Sequence, residues 1–138
     1  MSELEQIRDT HYKGISGNDL DLACSVFAED VETTTPQGVM QGLAEFRQFG
    51  EAFAAAVPDA TIRALRTFES GDTIISEGSY SGTHTGDLVG PTGTMPATGS
   101  TFSFPFVDLM QVADGEVVSH RIYWDMMGFM AQLGVPAQ

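Results

Sequence analysis

At Ala60 the hydrophobic spacing of the chain changes from three or four residues to two, which limits the fold to helices first and a sheet afterwards. Before the switch, Leu4, Ile7, His11 and Ile15 recur at helical steps until Gly17 and Asn18 break the run. A second short helix, starting after Asn18 or Asp19, carries Leu20, Ala23, Cys24 and Phe27 on one stripe and is expected to end near Glu29 and Asp30. A brief strand from Val31 to Thr35 is stopped by Pro36. A third helix, from about Leu43 to Ala56, aligns Leu43, Phe46, Phe49, Gly50 and Phe53 and ends before Pro58.

Beyond the switch, strands are expected at about 60–69, 73–84, 101–113 and 116–124, separated by Ser70-Gly71-Asp72 and Asp114-Gly115. The Gly-, Pro- and Thr-rich stretch from Gly86 to Ser100 reads as a loop. A short helix from Met126 to Leu133, stopped by Gly134 and Pro136, closes the chain. Together these elements predict an α+β domain, with helices packed on one side of a curved, mostly antiparallel sheet. A length of 138 residues fits a single domain with enough core to hold a pocket.

The charge balance narrows the function. Nineteen Asp and Glu stand against six Lys and Arg, a net charge of -13. Lys13 and five scattered Arg cannot form the basic patch that nucleic-acid binding requires, and an anionic membrane surface is disfavoured by the same sign argument. No apolar run approaches the roughly 18 residues of a membrane span, and the acidic N-terminus lacks the basic and apolar regions of a signal peptide. Cys24 alone cannot form an intrachain disulfide. These features read as a cytoplasmic protein with neither nucleic acid nor a membrane as partner.

Side-chain parity locates a cavity. Phe102, Phe104, Phe106, Asp108, Met110 and Val112 share one face of the third long strand, placing a carboxylate inside an aromatic row. Gly78, Tyr80, Gly82 and His84 share a face of the strand before it, and Val118, His120, Ile122 and Trp124 a face of the last. A protonated Asp108 could donate to a developing oxyanion; a bulge near Pro105 would instead turn it to solvent. Asp125 stands among Tyr123, Trp124, Met126 and Met127, where desolvation would favour a proton-transferring acid, while its place just before a helix equally suits an N-cap. His11, beside Tyr12, falls on the apolar stripe of the first helix, and His84 lies among small residues in Gly82-Thr83-His84-Thr85-Gly86. No paired Cys or closely spaced His suggests a metal site.

Several segments, in order, carry a resemblance. Asn18-Asp19-Leu20-Asp21, Phe27-Ala28-Glu29-Asp30-Val31, Val57-Pro58-Asp59, Gly82 to Gly86, Pro96-Ala97-Thr98-Gly99, Asp114-Gly115-Glu116-Val117, and Trp124-Asp125 with Gln132-Leu133-Gly134 span nearly the whole chain. They resemble the SnoaL-like polyketide and ester cyclases of the nuclear-transport-factor-2-like superfamily, a cone-shaped fold around an apolar pocket. The resemblance implies intramolecular aldol ring closure without a cofactor, with Asp125 as acid/base, and commonly a homodimer. Other members imply epoxide opening or a non-catalytic binding role.

A more distant likeness is to ketosteroid isomerase. Asp108 and Gly115 to Arg121 match its oxyanion Asp and the run that follows, and the oxyanion Tyr position falls near His11 or Tyr12. The isomerase base position is occupied by Thr35, before Pro36, which argues against that route. The resulting catalytic candidates are Asp125, His84 and Asp108, with Tyr12, His11, Phe106, His120 and Trp124 against the substrate. With so few cations in the chain, little positive charge is expected near a pocket carboxylate.

Overall fold

The computed structural model describes residues 1–90 and 93–134. The elements run α1 (Glu3–Ser16), α2 (Leu20–Cys24), β1 (Phe27–Thr35), β2 (Gly38–Gln41), α3 (Leu43–Ala56), β3 (Thr61–Ser70), β4 (Thr73–Thr83), β5 (Leu88–Gly90), β6 (Gly93–Met95), β7 (Thr101–Ala113), β8 (Glu116–Trp124) and α4 (Met126–Gln132). The expected α+β architecture is found. A six-stranded sheet has the order β2-β1-β8-β7-β4-β3, and every pair in it is antiparallel except β1 with β8. That parallel pair joins the N-terminal half of the chain to its last strand.

The helices start where capping side chains allow. Ser2 Oγ accepts from the Glu5 N–H at 3.0 Å before α1, and Asp19 Oδ1 accepts from the Leu22 N–H at 3.1 Å before α2. Between them, Gly14 sits so close to Ala23 that a Cβ there would overlap its backbone. This close approach lets a side chain of α1 reach the backbone of α2, as the site below requires.

Three local readings differ from the structure. The second helix ends at Cys24, and Phe27 opens β1 by pairing with Val117 of β8. Its ring is still buried, so the apolar stripe was real although the backbone had left the helix. The stretch from Gly86 to Ser100 contains the antiparallel pair β5-β6, and β2 is a further strand between Pro36 and α3 to which the sequence assigned no element. In β8 a register shift opposite Gln111 and Val112 buries Val117 rather than Val118 while keeping His120 inside. Pro136, read as a stop signal, lies outside the described residues.

Asp108 is not turned outward. β4 and β7 pair without interruption from Thr73↔Gln111 to Thr83↔Thr101, so no bulge forms at Pro105. Pro105 lies one residue beyond the last β7–β8 pair, Phe106↔Trp124, where β7 has a neighbour on one side only. A proline lacking its N–H is tolerated at such an edge.

Candidate active site

α1, α3 and the inner face of the sheet enclose a cavity of about 100 Å³. Phe49 and Phe53 of α3, Phe104 and Phe106 of β7, and Ile122 and Trp124 of β8 form much of its wall. Asn18 is exposed where the cavity meets solvent, whereas His11 and His120 line its buried end. The wall is therefore aromatic and its far end is polar, an arrangement suited to a mostly apolar molecule with one reactive polar region.

Behind that end lies a carboxylate. Asp108 is 1% exposed, and its Oδ2 accepts a hydrogen bond from the Tyr12 hydroxyl at 2.7 Å. The same oxygen is 3.8 Å from His120 Nε2, with the His120 side chain also 1% exposed. In the β7–β8 register Asp108 faces Ile122 and Met110 faces His120, so the two polar groups are diagonal neighbours within reach of each other. Asp108 Oδ1 and both His120 ring nitrogens have no hydrogen-bond partner among the described residues. Buried polar atoms left unpaired are costly and point to function or to a missing ligand.

His11 completes the end wall. Its Nδ1–H donates to the Ala23 carbonyl at 2.7 Å, which fixes the tautomer and leaves Nε2 as the lone-pair nitrogen. Burial, reinforced by the neighbouring His120, pushes its pKa down to about 4, so His11 is neutral at physiological pH. The His11 and His120 rings meet edge to face with centroids 5.8 Å apart. Burial raises the Tyr12 pKa, and the charge of Asp108 and the hydrogen bond to it raise it further, so Tyr12 acts as a donor and not as a base.

The remaining candidates sit elsewhere. Asp125, expected in a desolvated setting, is exposed and N-caps α4, its Oδ1 accepting from the Gly128 N–H at 2.9 Å. It borders a shallow groove on the outer face of the sheet with Leu65, Val107 and Tyr123, and does not line the inner cavity. The reason is geometric: β8 ends at Trp124, and alternation sends the next side chain to the opposite face from Trp124. His84 is buried but off the cavity wall, with Nδ1 held by Thr98 Oγ1 at 3.0 Å, where it ties the end of β4 to the segment before β7. Tyr12 stands behind the wall, whereas Phe106 and Trp124 are part of it. Among the described residues no three His, Cys, Asp or Glu side chains converge on a metal position.

Two residues were not singled out from the sequence. Ser76 continues the inward row of Gly78 and Tyr80 by one step, and Arg8 lies one helical turn before Tyr12; either spacing could have drawn attention to them. Arg8 Nη1 donates to Ser76 Oγ at 2.7 Å and to Thr67 Oγ1 at 2.9 Å, and Ser76 is the residue opposite Asp108 in the β4–β7 register.

Residues 5–133 match the family model described as SnoaL-like polyketide cyclase. The chain belongs to that family. Among curated relatives of this SnoaL-like protein, the aklanonic acid methyl ester cyclase DnrD of Streptomyces peucetius is 36% identical over 94 residues. That alignment covers 62% of each protein, so the match spans less than two thirds of DnrD. The nogalonic acid methyl ester cyclase of Streptomyces nogalater is 34% identical over 104 residues, covering 75% of both. Among solved structures, TsrD from Streptomyces laurentii superposes with a TM-score of 0.84 at 22% identity, covering 97% of this chain and 96% of that one. At that identity the likeness establishes the SnoaL-like fold.

Proposed function

We propose that this protein is a cofactor-independent cyclase that closes a ring in a carbonyl-rich, polyketide-like molecule by an intramolecular aldol step. The observation that carries the reading is the end of the aromatic cavity, where both ring nitrogens of His120 are unpartnered and one of them, Nε2, lies 3.8 Å from the buried carboxylate of Asp108. The names of the relatives, which are cyclases of methyl esters, support the same reaction class.

In this reading His120 takes a proton from a carbon flanked by carbonyls, and Asp108 stabilises the imidazolium that forms. The enolate attacks a second carbonyl carbon of the same molecule; a C–C bond forms and the carbonyl π pair becomes an alkoxide. That alkoxide takes the proton back from His120, so no net proton or electron is consumed. Phe106 and Trp124 hold the two reacting ends together, and such positioning supplies much of the rate of an intramolecular closure. Asp125 has no part in this reading, which is supported by the cap its Oδ1 forms on α4 and by its place off the cavity wall.

The test uses aklanonic acid methyl ester as the probe. Asp108→Asn and His120→Gln are each expected to lower turnover by about 10²–10⁴-fold, the usual range for a general acid/base. Wild-type turnover in either variant would refute the mechanism. Homodimerisation through the outer sheet face belongs to the same proposal: Leu65, at 62% exposure, and Tyr123 flank the outer groove and suit a second copy. A strictly monomeric mass in solution would remove that part.

A further inference from the structure

Arg8 is one of six cationic side chains in a chain of net charge -13, and it is buried, only 5% exposed. A guanidinium withdrawn from water needs a compensating role or compensating partners. Its Nε donates to Asp9 Oδ1 at 2.7 Å on the half-exposed side. Its Nη1 turns inward to Ser76 Oγ and Thr67 Oγ1, and its carbon Cζ lies 5.4 Å from the centre of the Tyr12 ring.

Ser76 is the residue directly opposite Asp108 in the β4–β7 register, and Tyr12 is the donor to Asp108 Oδ2. Arg8 thus touches both neighbours of the carboxylate without touching the carboxylate itself. The other titratable groups facing Asp108 are His120 of β8 and His11 of α1, both at the cavity end. Neither ring bears a fixed charge, and His11 is neutral at physiological pH. Arg8 is the permanent positive charge of the cluster, and a buried charge needs an opposite charge or hydrogen bonds to compensate its lost hydration.

We propose that Arg8 is a positioning residue, which through Ser76 and Tyr12 keeps Asp108 as a carboxylate with Oδ2 fixed toward His120. This rests on the reading of Asp108 and His120 as the acid/base pair. It replaces the oxyanion-donor role considered for Asp108 from sequence with an acceptor role, since a carboxylate receives hydrogen bonds and donates none.

The experiment reads the carboxyl carbon of Asp108 by ¹³C NMR in the full-length protein at neutral pH, with Asp108→Asn to assign the signal. The carboxylate signal is expected in the wild type and in Arg8→Lys, and its loss to the carboxylic-acid position is expected in Arg8→Met. Should Arg8→Met fail to fold, Ser76→Ala serves instead. It cuts the inward contact while leaving Arg8 paired with Asp9 and Thr67, and a shift of the Asp108 signal toward the acid position is expected. An acid signal in the wild type would overturn the proposal. So would an unchanged carboxylate signal in folded Arg8→Met or, in its place, Ser76→Ala. A purely structural Arg8 would lower the melting temperature without moving this signal. The measurement needs no substrate, so its outcome is separate from the turnover test of Asp108 and His120.

Discussion

The Tyr12 hydroxyl lies 2.7 Å from Asp108 Oδ2 although 96 residues separate the two in the chain. One comes from the first helix and the other from the longest strand, and both are buried. Their contact joins the helical half of the protein to the sheet at the end of the cavity.

Removing that hydroxyl tests the contact directly. Tyr12→Phe keeps the ring against Phe106 but leaves Asp108 Oδ2 without its donor, an expected cost of about 1–3 kcal/mol in unfolding free energy. Urea denaturation of the two proteins measures it. An unchanged midpoint would mean that the carboxylate is satisfied some other way.

His11 predicts a pH dependence. Its folded pKa of about 4 lies below the ordinary value of 6.5, so between these limits the unfolded chain binds more protons than the folded one. Stability is therefore present above the unfolded value and is lost as pH falls through the window, by at most about 1.4 kcal/mol per pH unit from this group. Unfolding free energy measured against pH should fall less steeply in His11→Asn than in the wild type between those limits. Equal slopes would show that His11 is not buried as a neutral ring.

Asp125 offers a separation of stability from turnover. Asp125→Ala is expected to cost about 1 kcal/mol by loss of the α4 cap, whereas Asp125→Asn, whose side chain also caps, should cost little. Under the proposed function, both should turn over the probe used to test it within a few-fold of the wild type. A hundredfold loss in folded Asp125→Asn would return this residue to the reaction.

The order of helices and strands was legible in the sequence because each element obeys a local rule: apolar spacing, a capping Ser or Asp, a Gly at a turn. Parity alone placed Asp108 among Phe104, Phe106 and Met110 on the inward face of β7, and the unbroken β4–β7 register bears this out. The same local reasoning left Asp125 undecided between cap and acid, because the two roles share one sequence pattern. The place where β8 stops, one residue earlier at Trp124, resolves its position.

What the sequence by itself determined was the fold class, the acidic character and the inward face of β7. What only the tertiary structure decided was which residues meet: Tyr12 with Asp108, Asp108 with His120, His11 with Ala23, and Arg8 with Ser76. Periodicity reports the direction of a side chain from its own strand or helix, and nothing in it encodes register between strands or the depth at which a helix lies on a sheet. Those distances arise from long-range packing, and so spacing could place Arg8 one turn before Tyr12 but not show that it is buried against Ser76, across the sheet from Asp108.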